Sequence, residues 1–161
     1  MKLLLSLLTG LFLFFQSADI DALRNSYAKA NQSVANTKNF IDLTEKQSSS
    51  DAVTSGYKAA AKIMEAKITT EKNKRKSFIK SGATNLESII KNNPNNAELR
   101  LIRLSVQENL PKIVGYHSSL KADKTFLLNN FSKQNTALKN YIKRFASQSK
   151  TFTAADRALL K

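Results

Sequence analysis

Arg100, Arg103 and Gln107 follow one another at intervals of three and four residues, a spacing that puts all three on one stripe of a helix. Two guanidiniums beside an amide suit a carboxylate or a phosphate, because arginine's planar fork bonds such groups through two parallel N–H donors. Asn109, Tyr116 and Asp123 meet that stripe if the chain folds back after Pro111. These six residues are the candidate partner-binding site, and a partner's C-terminus is among the groups they suit. The other use of the same residues is structural: Arg103 pairs with Asp123, or caps carbonyls freed where the helix breaks.

A second candidate is the run Glu71-Lys72-Asn73-Lys74-Arg75-Lys76, in which Lys72, Lys74, Arg75 and Lys76 offer contact to an anion. The alternative is a solvated lysine face that keeps a basic protein soluble. Lys139, Lys143, Arg144 and Lys150 accompany Tyr141 and Phe145 in a further, modestly amphipathic group.

Residues for catalysis are sparse. His117 is the only histidine, beside Ser118 and Ser119 in a loop, and a triad would have to recruit a distant acid such as Asp123. Cysteine is absent, and the carboxylates do not cluster at calcium-loop spacing, so no metal site is expected. Neither phosphate-cradling glycine motif occurs. Scattered Glu65, Glu87, Glu98 and Glu108 give no specific support to a glycosidase. No catalytic residue and no cofactor is assigned, and the expectation is a non-enzymatic protein.

The 161 residues hold 26 Lys plus Arg against 12 Asp plus Glu, a formal net charge of +14. In a cytoplasmic protein that balance would point first to nucleic acid. The N-terminus redirects it. Met1-Lys2, the apolar run from Leu3 to Phe15, and a small residue at Ala18 before Asp19 are the three parts of a secretory signal. The run is shorter than the ~20 apolar residues that span a bilayer. Residues 1–18 are therefore expected to be removed after Ala18, an uncleaved anchor and a buried core helix being the alternatives. What remains, 19–161, is expected to be one helical domain with no transmembrane segment, periplasmic or secreted. There the available anions are lipid headgroups, acidic polysaccharides and acidic proteins, and cytoplasmic nucleic acid is not an expected partner. Without cysteine the domain has no disulfide and must cohere by burial.

Two prolines and four glycines leave few turn clusters, and the apolar periodicity is helical throughout. Ile20, Leu23, Tyr27, Ala30 and Val34 share one face, and a short second helix carries Phe40 and Leu43. Ser50 or Asp51 caps a helix bearing Val53, Tyr57, Ala60, Ala61, Met64 and Ile68. Phe78, Gly82, Leu86, Ile89 and Ile90 form the next stripe, stopped at Pro94. Asn95 or Asn96 caps a helix through Leu99, Ile102, Val106 and Leu110. Beyond Ser119, stripes at Leu120, Phe126, Leu127 and Phe131 and at Leu138, Ile142 and Phe145 belong to one long helix or to two. Thr153-Ala154-Ala155-Asp156 resembles a capping box, so 153–161 is a terminal helical turn or a frayed tail. Consecutive helices on short turns predict an all-α fold of about six to eight helices, antiparallel hairpins stacked in an array.

Gly82, Leu86, Ile89 and Pro94 stand at the spacing of the second helix of a tetratricopeptide repeat, which they resemble. Ile89 departs from the repeat's usual alanine. Gly56, Tyr57, Ala60 and Ala61 fit its first helix only if Ile68 to Lys76 is a lengthened turn. The run from Asn93 to Tyr116 is similar to the central block of a family of small exported bacterial proteins with degenerate tetratricopeptide-like helices. The likeness implies the fold and export, and no catalytic residue. Stacked hairpins leave a concave surface, so an unknown protein or peptide is the expected partner, with an anionic envelope surface as the alternative.

Overall fold

The computed structural model of the chain describes residues 20–49 and 51–161. The expected leader and its cleavage site lie outside them, as does Ser50. The described residues are helical, with no strand among them: α1 (20–30), α2 (Val34–Glu45), α3 (Ala52–Ile68), α4 (Lys72–Asn92), α5 (Ala97–Asn109), α6 (Leu120–Asn130), α7 (Thr136–Gln148) and α8 (Ala154–Ala158). Short 3-10 turns at Lys112–Val114 and Phe131–Lys133 precede and follow α6. The all-α, six-to-eight-helix expectation holds.

Most starts are set by side chains that accept an otherwise orphaned backbone N–H. Ser33, Asp51, Asn96 and Asn135 cap α2, α3, α5 and α7, and Thr153 with Asp156 closes a capping box on α8. Asn135 also answers whether the C-terminal stripes form one helix or two: the 3-10 turn and this cap divide them. Helices α4 and α6 start without such a cap. At α4, Glu71 makes no side-chain cap, and the first turn is basic with no acid.

Two expectations need correction. Val34 is 59% exposed and opens α2 after the break at 31–33, so it does not continue the α1 stripe. No lengthened turn runs from Ile68 to Lys76: only residues 69–71 separate α3 from α4, and the extra length is helix.

Helices α3 and α4 form an antiparallel hairpin so close that a Cβ on Gly82 would stand 2.7 Å from the Ala59 carbonyl oxygen and 2.5 Å from Ile63. Arg100 stacks on Phe126, Arg103 bonds Asp123 and Gln107 bonds Ser119, contacts that make α5 and α6 a second antiparallel pair. Two apolar clusters result, and α5 belongs to both. Leu99, Ile102 and Val106 pack with α1 to α4, around the mutually contacting rings of Tyr27, Phe40 and Tyr57. Ala97, Leu101 and Leu104 pack with Leu127, Phe131, Ile142 and Phe152.

Candidate functional site

A helix buried on both flanks must also bury its polar residues, and such residues need partners inside. Arg103, 7% exposed, puts Nε and Nη2 on the two oxygens of Asp123 at 2.7 Å each, and Nη1 on Glu87 at 2.6 Å. Arg100 reaches the same Asp123 at 3.2 Å, bonds the Pro94 carbonyl and lies over the Phe126 ring. Tyr116 donates to Glu87 at 2.5 Å, and burial followed by that bond pushes its hydroxyl pKa upward. The chain does fold back after Pro111, and it brings Arg100, Arg103, Tyr116 and Asp123 into one network with Glu87. The carboxylate these arginines hold is the chain's own.

Gln107 is fully buried and takes the Ser119 N–H at 3.0 Å, and Asn109 donates to the Ser105 carbonyl in the last turn of α5. His117 stands 3.0 Å from the Leu110 carbonyl, a third polar group serving that helix end. Sequence reading missed the matching clasp at the other end of α5. Glu98, buried in the first turn, takes Arg24 through two bonds of 2.8 and 2.5 Å and the Tyr57 hydroxyl at 2.8 Å. Arg24 and Glu98 are 74 residues apart, so no local spacing signals them. Glu108 caps the turn after α7, accepting from the Ser149 hydroxyl and from the backbone of Lys150 and Thr151.

The open surface lies elsewhere. A groove of about 1020 Å³ runs between the N-terminal half of α4 and the turn after α5. Its apolar wall comes from Ile63 and Met64 of α3, Ile79 and Ala83 of α4, and Val106 and Leu110 at the end of α5. Lys67, Lys72, Arg75, Lys76 and Lys80 also line it, and among the described residues no carboxylate does. Among the described residues none of these cations has an ion-pair partner. Burial lowers the Lys67 pKa from the usual lysine value, and its ammonium is held by the Asn31 side chain. The 3-10 turn forms the opposite lip. Ile113 stands there 96% exposed, and Gly115 closes the turn at φ +74°, in the left-handed region that glycine enters without strain.

Of the basic cluster read from sequence, Lys72, Arg75 and Lys76 face this groove. Lys74 is instead bound to Glu71 at 2.5 Å. Asn109 and Tyr116 reach the groove from the other candidate set. Lys67 and Lys80 were missed. The signal for Lys80 was the four-residue recurrence Lys72, Lys76, Lys80, obscured by placing part of it in a turn. Lys139 and Lys143 lie over the Phe131 ring, while Arg144 and Lys150 line a smaller cavity of about 380 Å³ that shares Tyr27, Asn31, Ser105 and Asn109 with the groove.

Among the described residues no cluster of three or more metal-ligating side chains occurs, and no helix is long and apolar enough to cross a membrane. No protein-family model, curated protein or solved structure matches this chain.

Proposed function

We propose that this protein is an exported, non-enzymatic binding module that receives a segment of a partner protein in the groove between α4 and the turn after α5. The observation that carries the reading is an apolar wall rimmed by five cations with no acid among them. Apolar wall supplies affinity that does not depend on direction, and unpaired charge at the rim supplies selection and a fast approach. Export rests on the leader composition, and the hairpin array rests on the tetratricopeptide-like spacing around Gly82. Living-cell cross-linking from a photoreactive group at Ile113, with the crosslinked species identified, tests the module. A discrete protein adduct supports it, and recovery of lipid or polysaccharide alone rejects it.

The second reading, adhesion to an anionic envelope surface, is favoured by one observation: exposed Ile113 follows Lys112 at the lip, across from the α4 lysines. An apolar tip among cations suits an interface rich in anionic headgroups. Vesicles of phosphatidylglycerol separate the two. Adhesion predicts steep salt-dependent sedimentation that Lys72→Gln, Arg75→Gln and Lys76→Gln together abolish, and a groove specific for protein predicts little sedimentation at physiological salt.

A further inference from the structure

Lys72, Lys76 and Lys80 recur every four residues on α4, and all three line the groove. At a rise of ~1.5 Å per residue they form a row with steps of about 6 Å, about 12 Å from end to end. A ligand with a single anionic head can meet only one point of that row. The ligand that matches it is elongated and carries several negative charges in line. The volume of about 1020 Å³ also stands at the upper limit of the ~300–1,000 Å³ usual for small-molecule pockets.

The wall adds a second restriction. It is built from helices whose backbone groups are already bonded within their own turns, and it has no strand edge to pair with. An extended peptide laid on it would leave its own N–H and C=O groups without partners against apolar side chains, at a cost comparable to lost hydrogen bonds. A helix arrives with those groups satisfied.

The start of α4 shows the same demand from the side of stability. Lys72, Lys74, Arg75 and Lys76 crowd the positive end of the helix dipole, where anions are favoured and cations are not. Glu71 neither caps the helix nor pairs with any cation of the groove; it holds Lys74.

We propose that the groove's occupant is an acidic amphipathic helix of a partner protein, its carboxylates at i, i+4 and i+8 set along Lys72, Lys76 and Lys80 and its apolar stripe laid on Ile63, Ile79 and Val106. This rests on the binding-module reading above. The test uses the mature chain and a synthetic helix of about five turns, with Glu at those three positions and Leu on the adjacent stripe. Binding is followed by anisotropy and by amide shifts in the labelled protein.

The expected result is saturable binding with shifts confined to the groove, at 63–84, 105–116 and around Tyr27 and Asn31. Affinity should fall about tenfold when the three Glu become Gln or when Lys72, Lys76 and Lys80 all become Gln, because solvent-exposed ion pairs are individually weak and three are lost together. The lysines are exposed, so the triple variant should fold; a charge swap guards the conclusion. Lys76→Glu should lose the Glu helix and recover binding to the helix with Lys at the middle position. Equal binding of the Gln peptide, or failure of the swap, overturns the proposal. Binding of a composition-matched scrambled peptide at the same amides overturns the helical occupant but leaves the module standing. Binding of no peptide, with association to phosphatidylglycerol vesicles, overturns both.

Discussion

Asp123 is a single fully buried carboxylate that satisfies two guanidiniums. Removing one partner of a buried ion pair costs more than the pair contributes, because a desolvated charge is left behind. Asp123→Asn should therefore lower stability by about 3–5 kcal/mol in urea unfolding. Glu87→Gln, whose side chain is 42% exposed, should cost no more than about 1 kcal/mol. Equal effects of the two would contradict the burial argument. Asp156 offers a titration with a definite sign. Its bond to Lys124 at 2.8 Å, followed by those to the Thr153 backbone and hydroxyl, holds its pKa down to about 2. The folded value is below the ~3.9 of an unfolded aspartate, so its contribution is present above about pH 4 and is lost as pH falls from there toward 2. Carbon-detected NMR titration should place Asp156 near that low value, and Lys124→Gln should move it upward.

At the scale of elements, the α3–α4 hairpin depends on one missing methyl group. Gly82→Ala gains up to ~1 kcal/mol of helix propensity but forces a Cβ against the Ala59 carbonyl and the Ile63 backbone nitrogen, neither of which can rotate away. A net loss of about 1–3 kcal/mol is expected in thermal or chemical unfolding. Gly56→Ala meets chiefly the tip of the Leu99 side chain and should cost less. A ranking with Gly56 the more sensitive would be inconsistent with this packing.

The apolar stripes made most of these helices legible from the amino-acid order, and the Asx and Thr caps fixed their starts. Two features were not legible, for physical reasons. Searching α5 for one stripe found Leu99, Ile102 and Val106 and passed over Leu101 and Leu104, because a helix sandwiched between two clusters has no polar side to frame a stripe. The start of α4 was hidden because charge density and a missing cap look like a turn. The Arg103–Asp123 pair was within reach as an alternative, since an antiparallel hairpin returns the chain past itself. The Arg24–Glu98 pair requires knowing which distant helices touch.

Across the whole molecule, α5 is the element that both apolar clusters share, so neither can be completed without it. The expected consequence is one cooperative unit. Ile102→Ala and Leu104→Ala, on opposite flanks of α5 and both fully buried, should each cost about 2–5 kcal/mol. Each should shift a single transition seen alike by far-UV dichroism and by tyrosine probes. Two separated transitions in either variant would show that the clusters unfold independently.

The placement of Tyr27 and Tyr116 on the groove wall makes the protein its own optical instrument. The chain has no tryptophan and only four tyrosines, and two of those tyrosines line the groove. Half of the unlabelled protein's emitting rings therefore stand at the proposed binding groove, and a tryptophan carried by a test peptide would be the sole indole in the sample. Energy transfer from those phenol rings to that indole would report arrival at the groove itself, with no dye, tag or substitution to disturb the cationic rim.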